Sequence, residues 1–384
     1  MRILLLTVDF PPARGGIQNL LANLAGGLAA AHDVSVVAPG AAGDAAWDAG
    51  RPYSVTRAPR ASFWPLVMLA FWWSALFRAL RRPPDLIVCG HALLGPVCWA
   101  LGRLFGVPYI AMAYAYEIRA PRMRRLAGWT LRRAALVVTI SEFTRRDVIA
   151  YGVPAQRIVI IHPGAQSRPA ARTSPDGDKG VEAERIILTV ARLGELYKGH
   201  DMLVRAMPLI RAREPRARYV IVGDGPLRPY LERLAASLGV ADAVTFTGSL
   251  PNDGVDEWYR RADLFALLSR ESPIDGGAEG FGLAFVEAGA WEKPVVGGRS
   301  GGVPDAVVDG VTGFLVDPID IGAIADAILR VLGDADLARR LGENGRERAV
   351  HELSWGNFVA AFQVAIDEAV AAPALEESIR SARP

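Results

Sequence analysis

The chain opens on an unbroken apolar run, RILLLTVDF, followed at once by the glycine-containing loop PPARGGIQ and then by NLLANLAGGLAAA. Apolar positions in the last segment recur at helical spacing, whereas the first run shows no alternation at all. A run of that kind is a strand buried on both faces, as in a parallel sheet. A second run, VSVVAP (34–39), follows, so the order is strand, glycine loop, helix, strand. This is the βαβ unit of a doubly wound α/β domain. The alternation continues through DLIVCG (85–90), PYIAMAY (108–114), ALVVTI (135–140) and IVIIHPG (158–164).

Residues 165–184 are rich in Pro, Ser, Gly, Asp and Arg and have almost nothing to bury, which predicts a linker. The pattern then restarts with RIILTVAR (185–192), RYVIVGDG (218–225), AVTFTG (243–248), DLFALLS (263–269), KPVVGG (293–298) and GFLVDP (313–318). Two halves alike in plan predict an α/β protein of two Rossmann-like, doubly wound domains facing each other across a cleft. The expected bounds are 1–168 for the first domain, 169–184 for the linker and 185–354 for the second. An amphipathic helical tail over 355–384 is expected to cross back to the first domain.

Composition adds exclusions. At 384 residues, two domains of ordinary size are expected. Lys plus Arg total 43 against 41 Asp plus Glu, so overall charge makes no argument for nucleic acid. Charge is uneven, however: Arg119, Arg122, Arg124, Arg125, Arg132 and Arg133 fall in a stretch without an acid. Such a stretch suits phosphate or anionic lipid, and equally suits a solvated basic face. Two cysteines, Cys89 and Cys98, offer neither a disulfide framework nor metal spacing, which favours a reducing cytosol. The apolar run of MRILLLTVDFPP is too short for a signal peptide. FWPLVMLAFWWSALF (63–77) has 15 residues, short of the ~20 that span a bilayer, and reads as a buried or interfacial helix.

Candidate chemistry concentrates in the second half. Neither a Walker motif nor a G-x-G-x-x-G after the first strand occurs. Gly223-Asp224-Gly225-Pro226 ends a strand and is read as opening a helix with Pro at its first position. Its amides could touch a phosphate, or it is only a strand–helix turn. Gly15-Gly16 sits similarly after the first strand. Arg192 and Lys198, at a strand's carboxyl end, suit a diphosphate, although a random pair of that spacing is only two surface cations. Glu279 and Glu287 stand eight apart around Gly280, Phe281 and Gly282, with Glu279 in a loop and Glu287 inside a helix predicted to start near Gly282. Acids at an anion-attracting helix start have a purpose if they meet sugar hydroxyls or a positively charged sugar-like transition state. Asp176/Asp178 and Asp334/Asp336 are the Asp-x-Asp pairs that could hold a metal. The first lies in the linker and the second reads as a helix N-cap, so no metal site is predicted.

Four segments taken together, VDFPPARGGIQNLLANLAGGL, VARLGELYKGHDMLVRAM, IVGDGPLRPYLERLA and EGFGLAFVEAGAWEKPVVGGRSGGVPDAVVDGVTGFLVDP, resemble the retaining glycosyltransferases of family four, which have the GT-B fold. The closest flavour is that of bacterial phosphatidylinositol mannoside mannosyltransferases and related lipid or polysaccharide glycosyltransferases. The resemblance implies a hexose moved from GDP-mannose or a UDP-sugar, as co-substrate, to a lipid-linked or saccharide acceptor, with no cofactor and no metal. Arg192 and Lys198 match the pair that neutralises the donor diphosphate. Glu279 and Glu287 match the Glu-x7-Glu motif, Glu279 by the transferred sugar and Glu287 on the ribose hydroxyls. The amides of Phe281, Gly282 and Leu283 would contact phosphates and sugar, Gly16 would close the site from the first domain, and Gly223 would line the nucleotide pocket. Ser249 and Leu250 would lie against the base.

One departure stands out. Many relatives carry His-Gly-x-Glu after the fourth strand of the first domain, and its His contacts the donor sugar. Here the stretch reads Tyr114-Ala115-Tyr116-Glu117. His91, at another strand end, is read as a structural histidine. A non-catalytic nucleotide-sugar-binding protein and a nucleotide-sugar epimerase are the rival functions on the same fold. The expected location is cytoplasmic, peripheral at the inner membrane face through 63–77 and 119–133.

Overall fold

The apolar runs of the first half become the strands of one parallel sheet. β1 (Arg2–Leu6), β2 (Asp33–Pro39), β3 (Ser54–Ala58), β4 (Leu86–Cys89), β5 (Tyr109–Ala113), β6 (Leu136–Thr139) and β7 (Ile158–Ile160) are ordered β3-β2-β1-β4-β5-β6-β7. Ile3 pairs with Val34 on one side and Leu86 on the other, so the strand order reverses at β1 and β4. The inner strands β4, β5 and β6 are buried at every position, which is why their sequences are apolar throughout but for Thr139. The computed structural model describes residues 1–13, 15–59, 63–168 and 184–381.

The second half repeats the plan. β8 (Arg185–Val190), β9 (Ala217–Val222), β10 (Val244–Gly248), β11 (Leu264–Leu267), β12 (Val295–Gly298) and β13 (Gly313–Val316) form a parallel sheet ordered β10-β9-β8-β11-β12-β13. Each sheet has its own apolar core. One is built around Leu4, Ile87, Ala111 and Val137, the other around Ile187, Tyr219, Ile221 and Leu264. The chain divides into two units, Met1–Pro163 with Trp355–Pro384, and Gly164–Ser354. Helix Trp355–Ser381 therefore belongs to the first unit, where Phe358, Phe362 and Ile366 are buried and it packs on helix Gly16–Leu28.

Three details depart from the pattern reading. β3 was not anticipated, because SVTRA is a short edge strand of mixed polarity. Its Arg57 donates to both carboxylate oxygens of Asp48, at 2.9 and 2.6 Å. Residues 164–168 join the second unit, not the first, because Ala165 N–H donates to Leu353 O at 2.8 Å and Arg168 pairs with Asp256. Pro226 does not open a helix: Leu227 N–H donates across to Leu193 O at 3.0 Å, and the helix begins only at Arg228. The expected linker 169–184 lies outside the described residues except for Glu184, and so does the Asp176/Asp178 pair.

Helix Trp64–Arg81 covers the first sheet with Phe71, Ala75 and Ala79 fully buried. Its opposite face carries Leu66, Leu69, Trp73, Phe77 and Leu80, each 49–64% exposed. Among the described residues no helix is long and apolar enough to cross a membrane.

Candidate functional site

In the second unit the candidate residues gather on one edge of the sheet, because all its strands are parallel and their carboxyl ends coincide. Arg192 follows β8, Gly223 follows β9, Ser249 and Leu250 follow β10, and the loop carrying Glu279 follows β11. The β8 and β9 loops are locked together. Ala191 N–H donates to Val222 O at 3.1 Å and Leu193 N–H to Asp224 O at 3.0 Å. A Cβ on Gly223 would stand 2.0 Å from Ala191 O, at a φ of 150° that side chains rarely adopt, so only glycine fits. The amides of Gly223 and Gly225 are also spent, on Gly248 O (3.0 Å) and on Asp224 Oδ1 (2.8 Å). Both amides are therefore engaged within the protein and not offered to a phosphate.

Lys198 ends a turn of 3-10 helix, Leu196–Lys198, and Gly199 then starts helix His200–Arg213. Lys198 Nζ donates to Glu279 Oε2 at 2.7 Å, with 17% and 15% of the two side chains exposed. Burial alone would lower the Lys198 ammonium, but the Glu279 charge and the Tyr197 phenol outweigh it and hold the pKa above 10.5. Ser269 Oγ lies 3.4 Å from the same carboxylate oxygen, and Gly302 N–H donates to the Glu279 carbonyl at 2.8 Å. Glu279 is thus held at both its side chain and its backbone. Arg192 differs: its side chain is 70% exposed, 3.8 Å from Glu195, and free to turn toward a ligand. His200 anchors its backbone, donating from Nε2 to Arg192 O at 3.3 Å. Burial, above all, lowers the His200 pKa to about 4, so the ring is neutral.

Helix Leu283–Ala290 begins after Gly282 with no side chain capping its N-terminus. The first amides of a helix lack intrahelical partners, and its N-terminal dipole end attracts anions. Glu287 lies one turn inside and does not contact Lys198; burial pushes its carboxyl up to about 7. The 270s loop is tied down by Arg270, which donates to both oxygens of Asp201 at 2.9 and 3.0 Å, and by Arg270 N–H to Tyr197 O at 2.8 Å. Pattern reading missed Ser269, His200, the Asp201–Arg270 pair and Gly302. The signal was present for two of these, since His200-Asp201 directly follows Lys198-Gly199 and Gly301-Gly302 stands in SGGVPD.

Gly16 lies in the first unit, at the first position of helix Gly16–Leu28, and a Cβ there would meet nothing within 4 Å. Open space, and not packing, surrounds it. In the same unit Tyr114 is buried, with its hydroxyl against Met112 Sδ at 3.6 Å and its N–H donated to Glu117 Oε1 at 2.6 Å. His91 Nδ1 accepts from Leu93 N–H at 3.2 Å, a capping role, while Nε2 lies 3.9 Å from Asp9. Asp334 accepts from Leu337 N–H at 2.9 Å, the N-cap expected of it.

Comparison with known proteins places this arrangement. A family model described as Glycosyl transferases group 1 matches residues 175–348, and one described as Glycosyltransferase Family 4 matches residues 14–167. The chain is 34% identical to a GDP-mannose-dependent alpha-(1-6)-phosphatidylinositol monomannoside mannosyltransferase of Mycolicibacterium smegmatis, over 92% of this chain and 95% of the relative. The chain belongs to glycosyltransferase family four. A second member, from Corynebacterium glutamicum, is a GDP-mannose-dependent monoacylated alpha-(1-6)-phosphatidylinositol monomannoside mannosyltransferase, 28% identical over 92% of this chain and 94% of its own. Among solved structures, a sucrose-phosphate synthase from Thermosynechococcus elongatus superposes with a TM-score of 0.81 over 97% of this chain and 99% of that one, at 24% identity. Anabaena HepE in complex with UDP gives 0.79 over 96% and 100%, at 21% identity. The two parallel-sheet units thus have the GT-B fold of this glycosyltransferase family.

Proposed function

We propose that this family-four glycosyltransferase moves a hexose from a nucleotide diphosphate sugar, GDP-mannose or a UDP-sugar, to a lipid-linked or saccharide acceptor with retention of anomeric configuration. The observation that carries the reading is the buried Lys198–Glu279 contact beside an uncapped helix N-terminus, with the exposed Arg192 on the same sheet edge. A cation pair and a helix terminus suit a diphosphate whose charge grows as it departs, and they supply that stabilisation without a metal. In the proposed step the bond from the anomeric carbon to the diphosphate oxygen breaks. The acceptor hydroxyl forms its new bond on the same face of the sugar, and its proton passes to the departing phosphate oxygen. Lys198, Arg192 and the amides of Phe281, Gly282 and Leu283 meet the phosphates. Glu279 attends the sugar, Glu287 accepts from the ribose hydroxyls, and Gly223, Ser249 and Leu250 border the nucleoside. Gly16 is a further donor-site residue that the family resemblance implies.

Support for GDP-mannose and for a phosphatidylinositol monomannoside acceptor comes from the names of the relatives. A lipid acceptor also suits the exposed row Leu66, Leu69, Trp73, Phe77 and Leu80, with the Arg81 guanidinium 3.8 Å over the Phe77 ring. An apolar helix face with cations at its end lies at a headgroup boundary. Exposed Arg122, Arg124, Arg125, Arg132 and Arg133 in the same unit would meet anionic headgroups, at the cytosolic face of the membrane.

The test is turnover of GDP-mannose, UDP-glucose and UDP-N-acetylglucosamine by the wild type and by Glu279→Gln, with and without EDTA. The variant is expected to bind donor and fail to turn it over, and EDTA is expected to change nothing. A fully active Glu279→Gln enzyme would refute the assignment. For the membrane part, the protein should co-sediment with anionic liposomes and lose that binding in Trp73→Glu; indifference to lipid charge contradicts it.

A further inference from the structure

A second charged cluster lies behind Glu287, where the chain enters the second unit. Residues 164–168 run beside the point at which the chain leaves that unit, with Ala165 bridging to Ser354. Arg168 then donates from Nη1 to Asp256 Oδ2 at 2.8 Å, and its guanidinium stands 5.2 Å from the centroid of the Trp291 ring. Asp256 belongs to helix Asn252–Arg261, whose Arg260 covers the same ring at 5.5 Å. Trp291 is four residues beyond Glu287, so the two share one face of helix Leu283–Ala290 and its C-cap. Arg168 and Asp256 therefore bear on the face that carries Glu287.

The charges seen by Glu287 agree with that placement. Burial pushes its carboxyl up to about 7, Arg168 acts to lower it, and Asp256 acts to raise it. Tyr259, from the same helix as Asp256, is 2% exposed and its hydroxyl has no hydrogen-bond partner among the described residues. Burial, then the charges of Glu287 and Asp256, hold its phenol well above the ordinary range. Other charged groups packed round the helix have partners of their own: Arg346 pairs with Glu292 at 3.3 Å and donates to the Ala290 carbonyl at 3.3 Å, and Arg348 donates to the carbonyls of Ala306 and Asp305.

We infer that Arg168, held by Asp256 and by the face of Trp291, is a positioning residue for donor binding that acts through the carboxylate of Glu287. The inference rests on the role proposed above for Glu287. An ionised carboxylate accepts hydrogen bonds from both ribose hydroxyls, whereas a protonated one gives up part of that capacity. Arg168 favours the ionised form and Asp256 opposes it, so removing either should move donor binding in opposite directions along the pH axis.

The experiment is calorimetric titration of GDP or UDP into the full-length protein over a pH series, with steady-state kinetics on the sugar donor. In Arg168→Met the acid limb of donor affinity should move up by about one pH unit, and KM for the donor should rise about fivefold near neutral pH with kcat much less affected. In Asp256→Asn the limb should move down, and Arg168→Lys should restore most of the loss. Weakening in the same direction by both variants, with the limb unmoved, would mean a merely structural role and overturn the inference. Should Arg168→Met fail to fold, the downward shift in Asp256→Asn decides alone. Glu287→Gln separates the two levels. If it leaves affinity and pH dependence intact, the donor role of Glu287 fails and takes the inference with it. If it flattens the limb while Arg168→Met and Asp256→Asn leave that limb in place in the wild-type background, only the coupling fails.

Discussion

Replacing Lys198 by Met strands the Glu279 carboxylate. The two groups are 2.7 Å apart with 17% and 15% of their side chains exposed, so the pair is mostly but not wholly withdrawn from water. Removing one partner of a fully buried pair costs ~3–5 kcal/mol, and an exposed pair is worth ~0–1 kcal/mol. Partial access of water to Glu279 sets the expected loss at about 2–3 kcal/mol. For a unit of this size that is a fall in melting temperature of about 5–10 °C in the transition of residues 164–354. Glu279→Gln added to Lys198→Met relieves the stranded charge, so the double variant should lose less than the two singles together, by about 1–2 kcal/mol. The sign with pH follows from the raised lysine pKa. The lysine's contribution is fully present below 10.5 and is lost as pH climbs through the still higher folded value. Calorimetric melting of the four proteins measures all of this. Strict additivity, or a Lys198→Met melting point unchanged from the wild type, would refute the energetic reading of the contact.

Three other outcomes are expected. Gly223→Ala should lower the melting temperature of the second unit, since its Cβ would sit 2.0 Å from Ala191 O; an unshifted melt counts against the locked loops. Gly16→Ala meets nothing within 4 Å and should leave stability unchanged while lowering turnover, as thermal melts and kinetics will read separately. Burial pushes the Glu117 carboxyl up to about 7 from 4.5, so the first unit should lose stability as pH rises through that window. Glu117→Gln should flatten the loss, raising stability near pH 8 by about 2–3 kcal/mol in thermal or urea unfolding.

The fold was legible where strands are buried on both faces. β4, β5 and β6 are apolar but for Thr139, so their runs stand out, whereas β3 is an edge strand whose largely buried Arg57 is compensated by its pairing with Asp48 and hides the pattern. Among the site residues, Lys198 and Glu279 are 81 positions apart, and no local pattern joins them. Only the parallel sheet, which collects the carboxyl ends of β8 and β11, brings them into contact. Glycines were the hardest to interpret. Gly223 and Gly16 look alike in sequence, yet one is required by backbone approach and the other is surrounded by open space. Tyr114 shows the same limit: the family resemblance puts it where a sugar-contacting His is expected, but its hydroxyl is turned inward to Met112. The Arg168–Asp256 pair was invisible because it joins the edge of a low-complexity segment to a helix 88 residues later.

The most direct test of the proposed chemistry is time-resolved proton NMR of the sugar first released or transferred from an α-linked donor such as GDP-mannose. The proposed mechanism predicts the α-anomer as the initial product from the wild type and no product from Glu279→Gln. An initial β-anomer, or equal turnover by the variant, would contradict it.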